Sequence, residues 1–131
     1  MVQKRRISTD RGPAAIGPYS QAIVAGDLVF VSGQIPLDPA TGAMIQGDAA
    51  AQTERVMRNL AGILESAGSS LDRAVKATIY LTDLKEFETV NRVYGQSFSE
   101  DPPARATVQV CALPKGALVE IEMVALRKSQ G

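Results

Sequence analysis

Pro102-Pro103-Ala104-Arg105-Ala106-Thr107-Val108-Gln109-Val110 and, a little further on, Val119-Glu120-Ile121-Glu122 are the stretches from which the fold is read. Both alternate polar with apolar residues at the two-residue period of a β-strand. Arg105, Thr107 and Gln109 therefore share one face of their strand, and Glu120 and Glu122 share one face of theirs. The spacing predicts strands over 104–110 and 118–126, linked through Leu113-Pro114-Lys115-Gly116 and closing the chain as a pair. A guanidinium and carboxylates held on rigid strands suit a small, negatively charged molecule. An ion pair of Arg105 with Glu120 or Glu122, merely bracing the sheet or an interface, is the alternative. The chain contains no histidine, so any chemistry rests on groups of this kind.

Upstream of these strands, Thr82-Asp83-Leu84 opens a predicted helix that runs to about Phe98. Its apolar stripe is Leu84, Phe87, Tyr94 and Phe98, with Asn91 in the middle and Val90 adjacent. An amide on an apolar stripe must find partners or cost about 1–3 kcal/mol. Asn91 is thus either bonded to structural backbone or in contact with a ligand. Before that helix, Ala74-Val75-Lys76-Ala77-Thr78-Ile79-Tyr80-Leu81 reads as a mostly buried strand.

A longer helix precedes it, from the N-cap Asp48 to about Ala67. Val56, Met57, Leu60, Ile63, Leu64 and Ala67 make its apolar face, and Gly68 stops it. Gln52, Arg55, Arg58, Asn59 and Glu65 are assigned to the opposite, polar side. Earlier still, Gln21–Ala25 and Leu28–Ser32 form a hairpin around Gly26-Asp27, followed by a turn at Asp38-Pro39-Ala40-Thr41-Gly42. Residues 13–19, with two prolines and a glycine, are read as irregular. Lys4, Arg5 and Arg6 are read as a solvated terminus, the alternative being part of an organellar presequence.

The order strand pair, helix, strand, helix, strand pair gives an α+β fold with two helices on one face of a mixed sheet. The other sheet face then needs cover, and an oligomer that closes it against its own copies supplies that. The 131 residues fit one domain, 1–131. Fourteen basic residues balance fourteen acidic ones, which leaves no general footprint for nucleic acid or membrane. No apolar run approaches the roughly 20 residues needed to span a bilayer. Cys111 is the only cysteine, so there is no disulfide framework and a reducing cytoplasm is expected. It is read as a small buried hydrophobe rather than a reactive thiol. One cysteine and no histidine exclude Ser-His-Asp and Cys-His nucleophiles and the usual zinc ligand sets within one chain, so no metal site is expected.

With these motifs in place, the chain resembles the reactive-intermediate deaminase family, RidA, formerly called YjgF. The resemblance runs from about Ala14 to Arg127. Its blocks are Ile16-Gly17-Pro18-Tyr19-Ser20-Gln21-Ala22, Val31-Ser32-Gly33-Gln34-Ile35-Pro36 with Thr41-Gly42, and Asn59-Leu60 through Ala67-Gly68. They continue as Val75-Lys76-Ala77-Thr78 to Asp83, Phe87-Glu88-Thr89-Val90-Asn91-Arg92-Val93-Tyr94, Pro103-Ala104-Arg105, and Leu113-Pro114-Lys115 through Glu122. The resemblance implies a chorismate-mutase-like fold, assembled as a homotrimer around a barrel of sheets, with sites between subunits. It implies a 2-iminobutanoate/2-iminopropanoate deaminase, which hydrolyses enamine/imine intermediates such as 2-aminoacrylate to 2-oxo acids and ammonia without a cofactor.

In that scheme Arg105 grips the substrate carboxylate and Glu120 handles the attacking water. Backbone at Gly33 and Thr107 contacts substrate, while Tyr19, Ser32 and Asn91 shape the pocket. The arginine at position 105 marks the deaminase branch. Some relatives carry cysteine where Thr107 stands, so thiol-dependent activities described for them are in doubt here. An RNA-directed translation inhibitor or ribonuclease and a non-catalytic metabolite sensor are the competing functions. The charge balance, the 5% aromatic content and the missing histidine weigh against RNA.

Overall fold

Alternation and capping place the elements of the computed structural model, which describes residues 2–128. The strands are β1 (Lys4–Ile7), β2 (Ala22–Ala25), β3 (Leu28–Gln34), β4 (Ala74–Leu81), β5 (Ala104–Gln109) and β6 (Val119–Leu126). The helices are α1 (Ala49–Ser66) and α2 (Phe87–Gly95). Asp48 caps α1 by accepting a hydrogen bond from the Ala51 N–H at 3.0 Å, as its position predicts. Gly68, with φ +81°, ends it in the left-handed conformation that only glycine adopts freely. Val56, Leu60, Ile63 and Leu64 are fully buried against the sheet, each stabilising the fold by about 1.5–3 kcal/mol relative to exposure.

All six strands form one mixed sheet in the order β1-β2-β3-β6-β4-β5. Only β4 and β5 run parallel, joined by the crossover through α2; the other neighbours are antiparallel. The expected hairpin is present with Ala25 opposite Leu28. Both helices lie on one face, where Val29, Val31, Ala77, Ile79, Ile121 and Met123 meet α1 and the Val90–Tyr94 side of α2.

Several expectations are corrected. The two C-terminal strands do not pair, because β4 inserts between β6 and β5 and bonds to both. Lys4, Arg5 and Arg6 are not a loose terminus: they form an edge strand on β2, with Ile7 buried beneath it. An edge strand bonds through its backbone on one side only, so exposed cationic side chains are compatible with it. β4 is buried on one face alone, at Ala77, Ile79 and Leu81. Gln52 and Asn59 sit inside, at 6% and 0% exposure, rather than on the solvent side of α1.

The second helix begins with a 3₁₀ turn at Leu84–Glu86 and ends at Gly95, short of Phe98. Val90, Val93 and Tyr94 are its buried residues, whereas Leu84, Phe87 and Asn91 face outward. Cys111 is exposed rather than buried, because it follows the end of β5, past the core.

Candidate active site

Glu120 lies on β6 between the buried Val119 and Ile121, so the strand period turns its side chain to the face without helices. There it meets β3, whose register shifts between Val31 and Gln34. The shift brings Ser32 and Gly33 beside it. A Cβ built on Gly33 would stand 2.2 Å from Glu120 Oε2, so the carboxylate fills the space that a side chain at 33 would need. Glycine is required here for a close approach, not for a turn. Partial burial raises the Glu120 pKa above the ordinary carboxylate value, and the nearby Glu122 charge raises it further. Glu122 itself accepts a hydrogen bond from the Tyr80 hydroxyl, and that bond raises the phenol's pKa.

A cavity of about 560 Å³ opens over this group, lined by Glu120, Ser32, Gly33, Tyr19, Leu37 and Lys115 among others. Ser32 is tied down on both ends, its N–H donating to the Gln21 carbonyl at 3.0 Å and its Oγ to the Ser20 carbonyl at 2.5 Å. Lys115, in the link before β6, also lines the cavity and holds φ +56°. That left-handed conformation costs a non-glycine residue about 1–2 kcal/mol.

Three buried amides hold the cavity walls. Gln21 donates to the Thr9, Gly12 and Pro13 carbonyls and accepts from the Thr9 N–H. Asn59 donates to the Leu37 carbonyl at 2.9 Å and accepts from Arg55 Nε at 3.1 Å. Gln52 accepts from the Leu118 N–H at 2.8 Å, just before β6. Each fastens a different loop of the wall to the core, which presets its shape.

The remaining candidates gather elsewhere. Arg105 is level with Ala77, which is buried under the helices, so its side chain points to the helix side of the sheet. Its Nη1 donates to Asn91 Oδ1 at 2.7 Å, and the guanidinium lies over the Tyr94 ring at 5.3 Å and near the Phe87 ring at 5.7 Å. Thr107 follows on the same face, level with the buried Ile79. Among the described residues, the buried hydroxyls of Thr107 and Tyr94 have no hydrogen-bond partner.

The candidates therefore form two groups: Tyr19, Ser32, Gly33 and Glu120 around the cavity, and Asn91, Arg105 and Thr107 beside α2. Within one chain these face opposite sides of the sheet, with β4 between their strands. Arg105 bonds to neither Glu120 nor Glu122, so the ion-pair alternative fails within the protomer. The backbone partner expected as one alternative for Asn91 is not what its carbonyl meets: it accepts from Arg105 instead. Of the two aromatic residues assigned to the core, Tyr94 is buried there and Phe87 is exposed, and sequence reading missed that both rings meet Arg105. The available signal was their spacing from Asn91, four residues before and three after, which sets all three on neighbouring turns of one helix.

The Endoribonuclease L-PSP family profile matches residues 9–127. Among curated relatives, protein DfrA of Myxococcus xanthus is 55% identical over 125 residues, covering 94% of this chain and 95% of that one. The Homo sapiens protein named 2-iminobutanoate/2-iminopropanoate deaminase is 44% identical over 124 residues, covering 95% of this chain and 90% of its own. Among solved structures, E. coli TdcF with bound serine superimposes with a TM-score of 0.87 at 40% identity, over 95% of this chain and 99% of that one.

Proposed function

The chain belongs to the Endoribonuclease L-PSP family, and on that premise we propose that it is a 2-iminobutanoate/2-iminopropanoate deaminase working at a site shared between subunits of a homotrimer. The single observation that carries the shared site is the split of the candidate residues. Arg105 and Glu120 face opposite sides of one sheet, so one substrate meets both only where two copies adjoin. The face without helices supports such an assembly, with Phe30, Val108 and Leu126 there exposed at 44%, 42% and 39%. Covering apolar area of that kind drives association, and three copies related by a closed rotation leave none of it bare.

The chemistry follows from the groups. An enamine such as 2-aminoacrylate tautomerises to a 2-imino acid whose C=N carbon is electrophilic without a cofactor. The planar guanidinium fork of Arg105 suits a bidentate grip on the substrate carboxylate. The serine bound in TdcF carries the same α-carboxylate. From the adjoining copy, Glu120 takes a proton from water as the oxygen adds to the imine carbon. Glu120 hands that proton to the imine nitrogen, giving the carbinolamine; the hydroxyl proton then passes by the same carboxylate to the nitrogen as the C–N bond breaks, which releases ammonia and forms the C=O bond of the 2-oxo acid. A well-placed base of this kind contributes about 10²–10⁴ in rate, and partial burial of Glu120 favours that role. Gly33 and Thr107 offer backbone contacts, and Tyr19, Ser32 and Asn91 complete the walls.

The family description also names an endoribonuclease. RNA cleavage is the weaker reading, because the chain carries no net charge and no histidine for acid–base chemistry on a ribose. The deciding experiment couples the protein to a threonine or serine dehydratase and follows the loss of the enamine/imine signal. Faster loss with the parent and none with Arg105→Ala supports deamination; equal rates with both refute it.

A further inference from the structure

Arg105 is a long, exposed side chain at the sheet edge, and its one hydrogen bond among the described residues, to Asn91, leaves the guanidinium free to turn about that contact. A fork that turns is a poor partner for a planar carboxylate, because both N–H···O bonds require one orientation. Something must fix the second angle. Tyr94 stands in position to do so. It lies on α2 one turn beyond Asn91, is only 3% exposed, and its ring sits 5.3 Å from the Arg105 guanidinium carbon. Its orientation is fixed in turn by Phe98, whose ring centroid is 4.9 Å away.

We infer that Tyr94 is a positioning residue: the face of its buried ring is the platform that, with Asn91, holds the Arg105 fork in the orientation that receives a carboxylate. This rests on the deaminase reading and assigns a part of the site that the pocket walls do not include. The attraction of a guanidinium for an aromatic face grows as water is removed, and the burial of Tyr94 removes it from one side. The same burial raises the phenol's pKa against the opposing effect of Arg105, so the ring stays neutral and keeps its full negative face toward the cation. Phe87, at 5.7 Å and 37% exposed, flanks the guanidinium without that burial.

The test measures binding of 2-oxobutanoate by calorimetry together with kcat and KM in the dehydratase-coupled assay. Tyr94→Phe retains the platform and is expected to bind within about twofold of the parent. Tyr94→Leu keeps apolar bulk but loses the face; its Kd and KM are expected to rise about tenfold, equivalent to about 1.4 kcal/mol, with kcat changed much less. Where Tyr94→Leu does not fold, pentafluorophenylalanine at position 94, compared with Tyr94→Phe, removes the negative ring face at nearly constant shape and is expected to give the same loss.

Arg105→Ala separates the two ideas. If it binds 2-oxobutanoate like the parent, the carboxylate anchor itself is wrong and the deaminase reading falls with it. If it weakens binding while Tyr94→Leu or the fluorinated residue binds like the parent, the anchor stands and the role of Tyr94 is overturned. Equal losses in Tyr94→Phe and Tyr94→Leu also overturn it, since the hydroxyl rather than the ring would then carry the effect.

Discussion

Arg105 and Glu120 project from opposite faces of the same sheet, with β4 between their strands and Tyr80 directly beside Glu120. No side-chain rotation brings them to one substrate within a protomer. This makes a complementation experiment decisive. Arg105→Ala and Glu120→Gln are each expected to be inactive alone. In the proposed homotrimer, refolding them together in equal amounts gives mixed rings, each of which regains one whole site. Random mixing then restores about a quarter of the parent activity. A mixture as inactive as its components, with exchange verified by mass spectrometry, would mean that the site lies within one chain.

Gly33 offers a second test, because Glu120 occupies the space of its missing Cβ at 2.2 Å. In Gly33→Ala the carboxylate has to swing away, and a displacement of about 1 Å at a reacting group costs on the order of a hundredfold in rate. The fold loses little, since the clashing atoms are the mobile end of a side chain; a change below about 1 kcal/mol is expected. Urea unfolding alongside the coupled assay checks both halves. A variant that is fully active refutes the close fit of Glu120 over Gly33.

Much of this was legible in the sequence, and the parts that were not share a cause. Strand β4 has the predicted bounds of 74–81, and α1 starts after Asp48 and stops before Gly68 as its caps indicate. These features are local. Which strands neighbour each other is not, and the alternation at Arg105 and Glu120 fixes their faces without revealing that β4 separates them. Gln52 and Asn59 were misassigned because the partners that make a buried amide tolerable, the Leu118 N–H and the Leu37 carbonyl, lie far along the chain. Phe87 and Tyr94 both read as core positions by spacing, and of the two only Tyr94 is buried. Only the arrival of Arg105 from another strand shows what their rings face.

The carboxylates give a pH prediction. Burial first, and the Glu122 charge second, hold the Glu120 pKa above its ordinary value. If the ionised Glu120 is the working base, activity falls as pH drops through that raised pKa. Glu122→Gln removes the like charge, so the acid limb of the kcat/KM profile is expected to move to lower pH. Stability follows the same sign. A carboxyl group whose folded pKa is raised adds stability that is complete below the unfolded pKa and lost as pH rises through the folded one. The variant should show less of that loss. An acid limb that stays in place would show that Glu120 is not the group whose ionisation the profile reports.

Asn59 supplies a test of how the cavity wall is held. Its side chain is fully buried, donating to the Leu37 carbonyl at 2.9 Å and accepting from Arg55 Nε at 3.1 Å. Asn59→Leu keeps the volume but leaves both partners without their bond, which costs about 1–3 kcal/mol of unfolding free energy. Leu37 lines the cavity, so kcat/KM should fall together with stability. Arg58→Ala, one residue earlier on the exposed side of the same helix, is the control and should stay within about 0.5 kcal/mol of the parent. Both variants are compared by urea unfolding at one fixed protein concentration, because association contributes to the stability of an oligomer. An Asn59→Leu protein as stable as Arg58→Ala would mean that the Leu37 carbonyl finds another partner and that the amide does not set the wall.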